Sequence, residues 1–206
     1  MRVITIEDVI QDVVKRVQLS SRIQSVRDYL EGLGKETEGM PYYIDGHPQE
    51  INLRLTEKSK DSTTKYKRYP LIALRLDTTE EVYGRLHHFK LNIGIFAYTD
   101  KNYTSAQRKE LVFKPILYPL YYEFLRQLKL SGWFTWPPTS LDVPKHTKVD
   151  RYFWGTGTEN GNTKNIFSDP LDAIEILNLE VNLDMKKCKA LLADQLFDDS
   201  FDLTFN

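Results

Sequence analysis

The sequence has almost no cysteine: Cys188 stands alone in 206 residues. That excludes an internal disulfide framework and any cysteine-rich zinc site, and it fits a reducing compartment. A surplus of either charge is also missing, with 28 Lys plus Arg against 29 Asp plus Glu and a formal net charge of -1. Wholesale wrapping of nucleic acid or of an anionic membrane is therefore not expected, and any such contact is local. No long apolar run occurs. The opening MRVITIEDVIQDVV has no signal-peptide core, and nothing approaches the roughly 18 apolar residues of a membrane span, so a soluble protein made in the cytoplasm is expected. Internal repeats are absent. So are the usual catalytic signatures: there is no G-x-S-x-G elbow, and the Gly-rich GTGTENGNTKN lacks the Gly-Lys-Ser/Thr ending and the following helix of a phosphate cradle. A hairpin tip is expected there.

What is present is an amphipathic start and several apolar strands. In TIEDVIQDVVKRVQ, Thr5 is a candidate N-cap with Asp8 three residues on, and Ile6, Val9, Ile10, Val13, Val14 and Val17 share one helical face. Ile23, Val26, Leu30 and Leu33 continue the spacing and predict a second short helix, stopped by Gly32 and Gly34. A short extended piece, a turn at Asp45-Gly46 and a helix begun by Pro48 follow, then a polar loop over about 57–68.

YPLIALRLD predicts a strand with Ile72, Leu74 and Leu76 on one face and Leu71 and Ala73 on the other, ending at Asp77. RLHHFKLNIGIFAYTD predicts its partner, with Leu91, Ile93, Ile95 and Ala97 alternating against His88, Lys90, Asn92 and Gly94. The helical run around Phe113, Leu117, Leu120, Phe124 and Leu128 contains Pro115 and Pro119, which predicts a kink or two pieces. In PLDAIEILNLEVNLD the apolar parity switches between Ile174, Ile176 and Leu177, Leu179, Val181, Leu183, the mark of a bulge. The expected fold is α+β: a small, mainly antiparallel mixed sheet with N-terminal and central kinked helices packed on it. One domain over 1–193 with loop insertions at 57–68 and 155–168 is expected, followed by an acidic-aromatic arm at 194–206.

Four candidate chemistries follow from the residues. Asp77 closes its strand as an isolated carboxylate and is better read as starting a turn. Asp172, Asp184 and Lys186 match the D/E-x-K step of metal-dependent nucleases, in which carboxylates hold magnesium and a lysine assists water, but Asp172 and Asp184 bracket a single strand. His87 and His88 are neighbours on a strand and point to opposite faces, so they do not chelate one ion, and His47 and His146 lie apart from them. No catalytic, cofactor-binding or metal-binding residue is assigned. The interface candidates are Lys65, Tyr66, Lys67 and Arg68 of a basic loop suited to a partner subunit or a DNA backbone, and Phe197, Phe201 and Phe205 of the acidic arm.

The N-terminal helix, YPLIALRLD, HHFKLNIGIFAYTD, FKPILYPLYYEFLRQL and DPLDAIEILNLEVNL together resemble the neck and tail-completion proteins of tailed bacteriophages, above all the tail terminators. The resemblance covers most of residues 3–184 and rests on the order of the elements. The second helix, the proline-broken helix and the C-terminal arm depart from that order.

The resemblance implies a structural virion protein without catalysis or cofactor: a homo-oligomeric ring, hexameric or dodecameric, assembled in the host cytoplasm. It implies contacts with the tail tube and with connector or portal-side proteins, non-specific passage of DNA through the lumen, and no membrane. A metal-dependent nuclease or a small phage adaptor acting through its arm are the alternatives.

Overall fold

The computed structural model describes residues 5–60, 68–135, 144–154, 156–159, 162–165 and 169–184. Helix α1, Ile6–Leu19, starts as expected at a capping box. The Asp8 amide donates to Thr5 Oγ1 at 3.4 Å and the Thr5 amide to Asp8 Oδ2 at 3.2 Å, satisfying two groups of the kind a helix start leaves without partners. Its Ile/Val stripe is buried from Ile6 to Val17. A 3-10 turn at Ser21–Ile23 leads into α2, Gln24–Gly32, the second helix the spacing predicts.

Strands β1 (Tyr42–Gly46), β2 (Leu71–Tyr83), β3 (Leu86–Tyr98), β4 (Phe134–Thr135), β5 (Thr147–Trp154) and β8 (Leu171–Asp184) form one sheet in the order β1-β2-β3-β8-β4, with β5 also on β8. Only the β1–β2 pair is parallel, so the fold is α+β with a mixed, mainly antiparallel sheet. Strands β6 (Thr156–Glu159) and β7 (Asn162–Asn165) pair as a separate hairpin, in the Gly-rich stretch where a hairpin is expected. The helix α3, Pro48–Lys60, runs into the stretch expected to be loop, and residues 61–67 and the arm 194–206 lie outside the described residues.

The two bulges meet at Asn92. Opposite β8, Asn92 alone faces Leu177 and Asn178, so the extra residue predicted by the parity switch is accommodated there, with Asn178 at φ 52°. The Asn178 amide donates to Asn92 Oδ1 at 3.1 Å, while Asn92 Nδ2 donates to Asp77 Oδ1 at 3.3 Å. On the other side, Leu76, Asp77 and Thr78 bulge against Leu91. The strand expected to end at Asp77 therefore continues to Tyr83 and turns at Gly84, whose φ of 63° suits glycine. Sequence alone misses this half because Thr79–Tyr83 has few apolar residues.

The central helix runs without a break through three parts. Thr104 and Gln107 cap α4, Ser105–Arg108; a π-helical segment, Lys109–Leu117, follows; α5, Tyr118–Leu130, completes it. Pro115 has no amide for the Leu111 carbonyl one α-turn back, and the wider turn leaves room for its ring. Tyr29 Oη donates to the Leu111 carbonyl at 2.9 Å.

Helices α1, α2 and α5 and the π-helical segment share one apolar cluster with Ile72, Leu74, Leu91, Ile93, Ile95, Ile174, Ile176 and Leu179 on one face of the sheet, among others. On the opposite face α3 covers only one end, where Ile51 and Leu55 pack on Ile44, Leu71, Ala73, Phe96, Leu171 and Ala173.

Candidate functional site

Of the predicted interface residues, Lys65, Tyr66, Lys67, Phe197, Phe201 and Phe205 lie outside the described residues, as does Lys186. Arg68 is described, and its Nη1 lies 2.6 Å from Asp169 Oδ2. Tyr69 Oη donates to the same oxygen at 3.3 Å. Burial, then the Asp169 charge, push the Tyr69 phenol well above its ordinary pKa, with Arg68 opposing. The pair ties the entry of β2 to the entry of β8, so Arg68 works inside the fold.

Asp77 sits at the β2 bulge, not at a strand end. Arg75 Nη2 lies 2.8 Å from Asp77 Oδ2, and Arg75 Nη1 lies 3.8 Å from Glu175 Oε1. Arg151 Nε donates to Glu175 Oε2 at 2.8 Å and Trp154 Nε1 to Glu175 Oε1 at 2.9 Å. With both oxygens engaged, Glu175 is held as a hub joining β2, β5 and β8 where the shelter of α3 stops. An apolar recess beside it is lined by Ile51, Leu55, Leu71, Phe96, Trp154 and Leu171. The sequence gives no local signal for this cluster, since its members meet only when the strands register.

Asp172 and Asp184 stand at opposite ends of β8, twelve residues apart and so about 40 Å along the strand, too far to share an ion. Asp172 is fully buried with Arg108, whose Nη1 lies 2.8 Å from Asp172 Oδ1. Arg108 also donates to Thr99 Oγ1 and to the carbonyls of Tyr103 and Asp100, and its guanidinium lies 3.4 Å from the centre of the Phe153 ring. The Phe153 amide donates to Asp172 Oδ1 at 3.0 Å. This pair joins the central helix, the end of β5 and the start of β8.

The histidines are dispersed. His87 Nδ1 lies 2.6 Å from Glu80 Oε1, and His88 Nδ1 lies 2.7 Å from Asn182 Oδ1 across the other face. His146 bridges the Pro144 carbonyl and Tyr121 Oη, and His47 Nδ1 accepts from the Gln49 amide. Among the described residues no three His, Cys, Asp or Glu side chains converge as a metal site.

The remaining feature is the sheet boundary. β1 pairs with β2 only over Leu71–Arg75, so beyond the bulge β2 has β3 on one side and no described strand on the other. Val82 and Tyr83 near its tip are 58% and 65% exposed. At the other boundary β5 pairs with β8 and no described strand follows it. Such edges offer unpaired backbone donors and acceptors to another chain.

No protein-family model matches the chain, and no curated protein matches it.

Proposed function

We propose that the chain is a ring-forming structural subunit of a tailed-bacteriophage tail terminator or neck, capping the tail and joining it to the connector. The observation that carries this reading is the shape of the sheet: one face covered by helices, with no described strand beyond the outer half of β2 or beyond β5. A subunit with two different open edges is suited to head-to-tail contacts, which close into rings when the rotation permits. Arg68 belongs to the internal framework, so the partner-facing role falls to the edges and to Lys65, Tyr66, Lys67, Phe197, Phe201 and Phe205. Stopping tail growth and passing DNA need a shaped bore and docking surfaces, not a reacting group. The reading names no cofactor and no metal.

Electron microscopy of the purified protein, alone and mixed with tail tube or connector, tests this directly. Closed rings are expected. A strictly monomeric particle in every mixture overturns the reading.

A further inference from the structure

The two open edges carry opposite charge. The free part of β2, Leu76–Tyr83, bears Asp77, Glu80 and Glu81 and no basic residue. β5 and its approach bear Lys145, Lys148 and Arg151 with a single acid, Asp150. Lys145 belongs to the edge because its carbonyl accepts from the Glu180 amide at 3.0 Å, which extends the β5–β8 ladder. The directions also agree: β5 runs antiparallel to β8, β8 to β3 and β3 to β2, so β5 of a rotated copy meets β2 as an antiparallel partner.

We propose that the occupant of the β2 edge is β5 of a second copy of this chain, which makes the sheet continuous from subunit to subunit. The inference rests on the ring reading and names its interface. Several charges already have partners within the chain: Asp77 with Arg75, Glu80 with His87, Lys145 with Glu180, Lys148 with Asp150 and Arg151 with Glu175. On β5 those pairs match each cation with an acid, but Glu175 and Glu180 lie one strand further in on β8, so the cations of β5 stand nearest an incoming strand; facing the acids of β2, they orient the encounter and disfavour β2-to-β2 and β5-to-β5 contacts.

The offset between the edges sets the geometry. On the β8 scale the free part of β2 lies beside the last residues of β8, through Tyr83 to Leu86 to Asp184, whereas β5 lies beside Leu171–Leu177. That is about six or seven residues, roughly 20 Å, against four strand spacings of about 4.8 Å per subunit. Strands tilted by about 45° bring the two edges to the same height, close to the tilt found in closed barrels. The β1 step stops at Arg75, so the upper part of β2 has no described strand beside it where the incoming strand would lie.

The test reverses one edge at a time on the face away from the main helices. One chain carries Thr79→Lys and Glu81→Lys; the other carries Lys145→Glu and Thr147→Glu, at exposed side chains. Light scattering after size exclusion reads the assembly, and thermal melts check the fold. Each variant alone is expected to self-associate at least about tenfold more weakly than wild type, because like charges then face each other. Mixing the two restores assembly, since each supplies the other's complement. A variant that loses its melting transition is replaced by Glu81→Lys or Lys145→Glu alone, read the same way. Rings formed equally well by each reversed chain on its own, or no rescue on mixing, overturn the edge pairing and leave the ring reading standing. A wild-type chain that never assembles overturns the ring reading itself.

Discussion

The two faces of the sheet are built on different physics. The face under α1, α2 and α5 is a continuous apolar layer in which the charged Arg108 and Asp172 are fully buried and paired with each other. The other face is apolar under α3 and then passes into a network in which a buried Glu175 is surrounded by Arg75 and by the exposed Asp77 and Arg151. Burial on the first face supplies most of the stability, at about 25 cal/mol per Å² of apolar surface removed from water. Around that hub Asp77 and Arg151 sit near solvent, where a pair contributes little, which suits a surface that meets a partner.

The sharpest way to break the first face is Asp172→Ala. It leaves Arg108 buried without its counterion, and a change of that kind costs about 3–5 kcal/mol. A fall in melting temperature of roughly 6–20 °C is expected for a chain of this size, measured by calorimetry. Asp172→Asn keeps an oxygen for the Phe153 amide and is expected to fall between the two.

The α3-covered half breaks at Gly94. A Cβ there would lie 2.2 Å from Phe96 Cζ, and the Phe96 ring has little room to retreat because it is buried edge-on to Trp154 with centroids 4.4 Å apart. Gly94→Ala is expected to destabilise by about 1–3 kcal/mol through overpacking, visible as a lower denaturant midpoint.

These costs bear on what the sequence reveals. The Thr5 cap, the valine stripe of α1 and the parity switch of β8 are legible because each is a local pattern with a single geometric solution. The Arg108–Asp172 pair spans 64 positions, and neither residue has a neighbour that marks it. The outer half of β2 is hidden for a different reason: TTEEVY is held by pairing with β3 while both its faces remain wet, so no alternation records the strand. The π-helical segment is half legible. The prolines predict a disturbance, but not that wider turns spread it over Lys109–Leu117.

On the helical side, acid distinguishes packing from electrostatics. Burial acts to raise the Glu123 pKa, but hydrogen bonds from Arg126, Ser20 and Gln127 and the Arg126 charge outweigh it, so the pKa falls below its ordinary 4.5. A carboxyl depressed in the folded state stabilises it above the unfolded pKa and loses that contribution as pH falls through the folded value. Stability is therefore expected to decline below about pH 4.5, and Glu123→Gln flattens that limb while lowering stability at neutral pH. A limb unchanged in Glu123→Gln places the acid sensitivity elsewhere.

The smallest effect is expected at Asp77. Its contacts with Arg75 and Asn92 lie near solvent, and such a pair is worth about 0–1 kcal/mol, so Asp77→Ala leaves the melting temperature within a few degrees. If the open face is an assembly surface, the same substitution shows itself in a different measurement. Removing one of the three acids on the β2 edge lowers the association rate and its dependence on salt, because rim charges act mainly on encounter. A stable fold with slower, less salt-sensitive ring formation separates the two faces at one residue. An Asp77→Ala chain that melts far below wild type would instead make the bulge network part of the core.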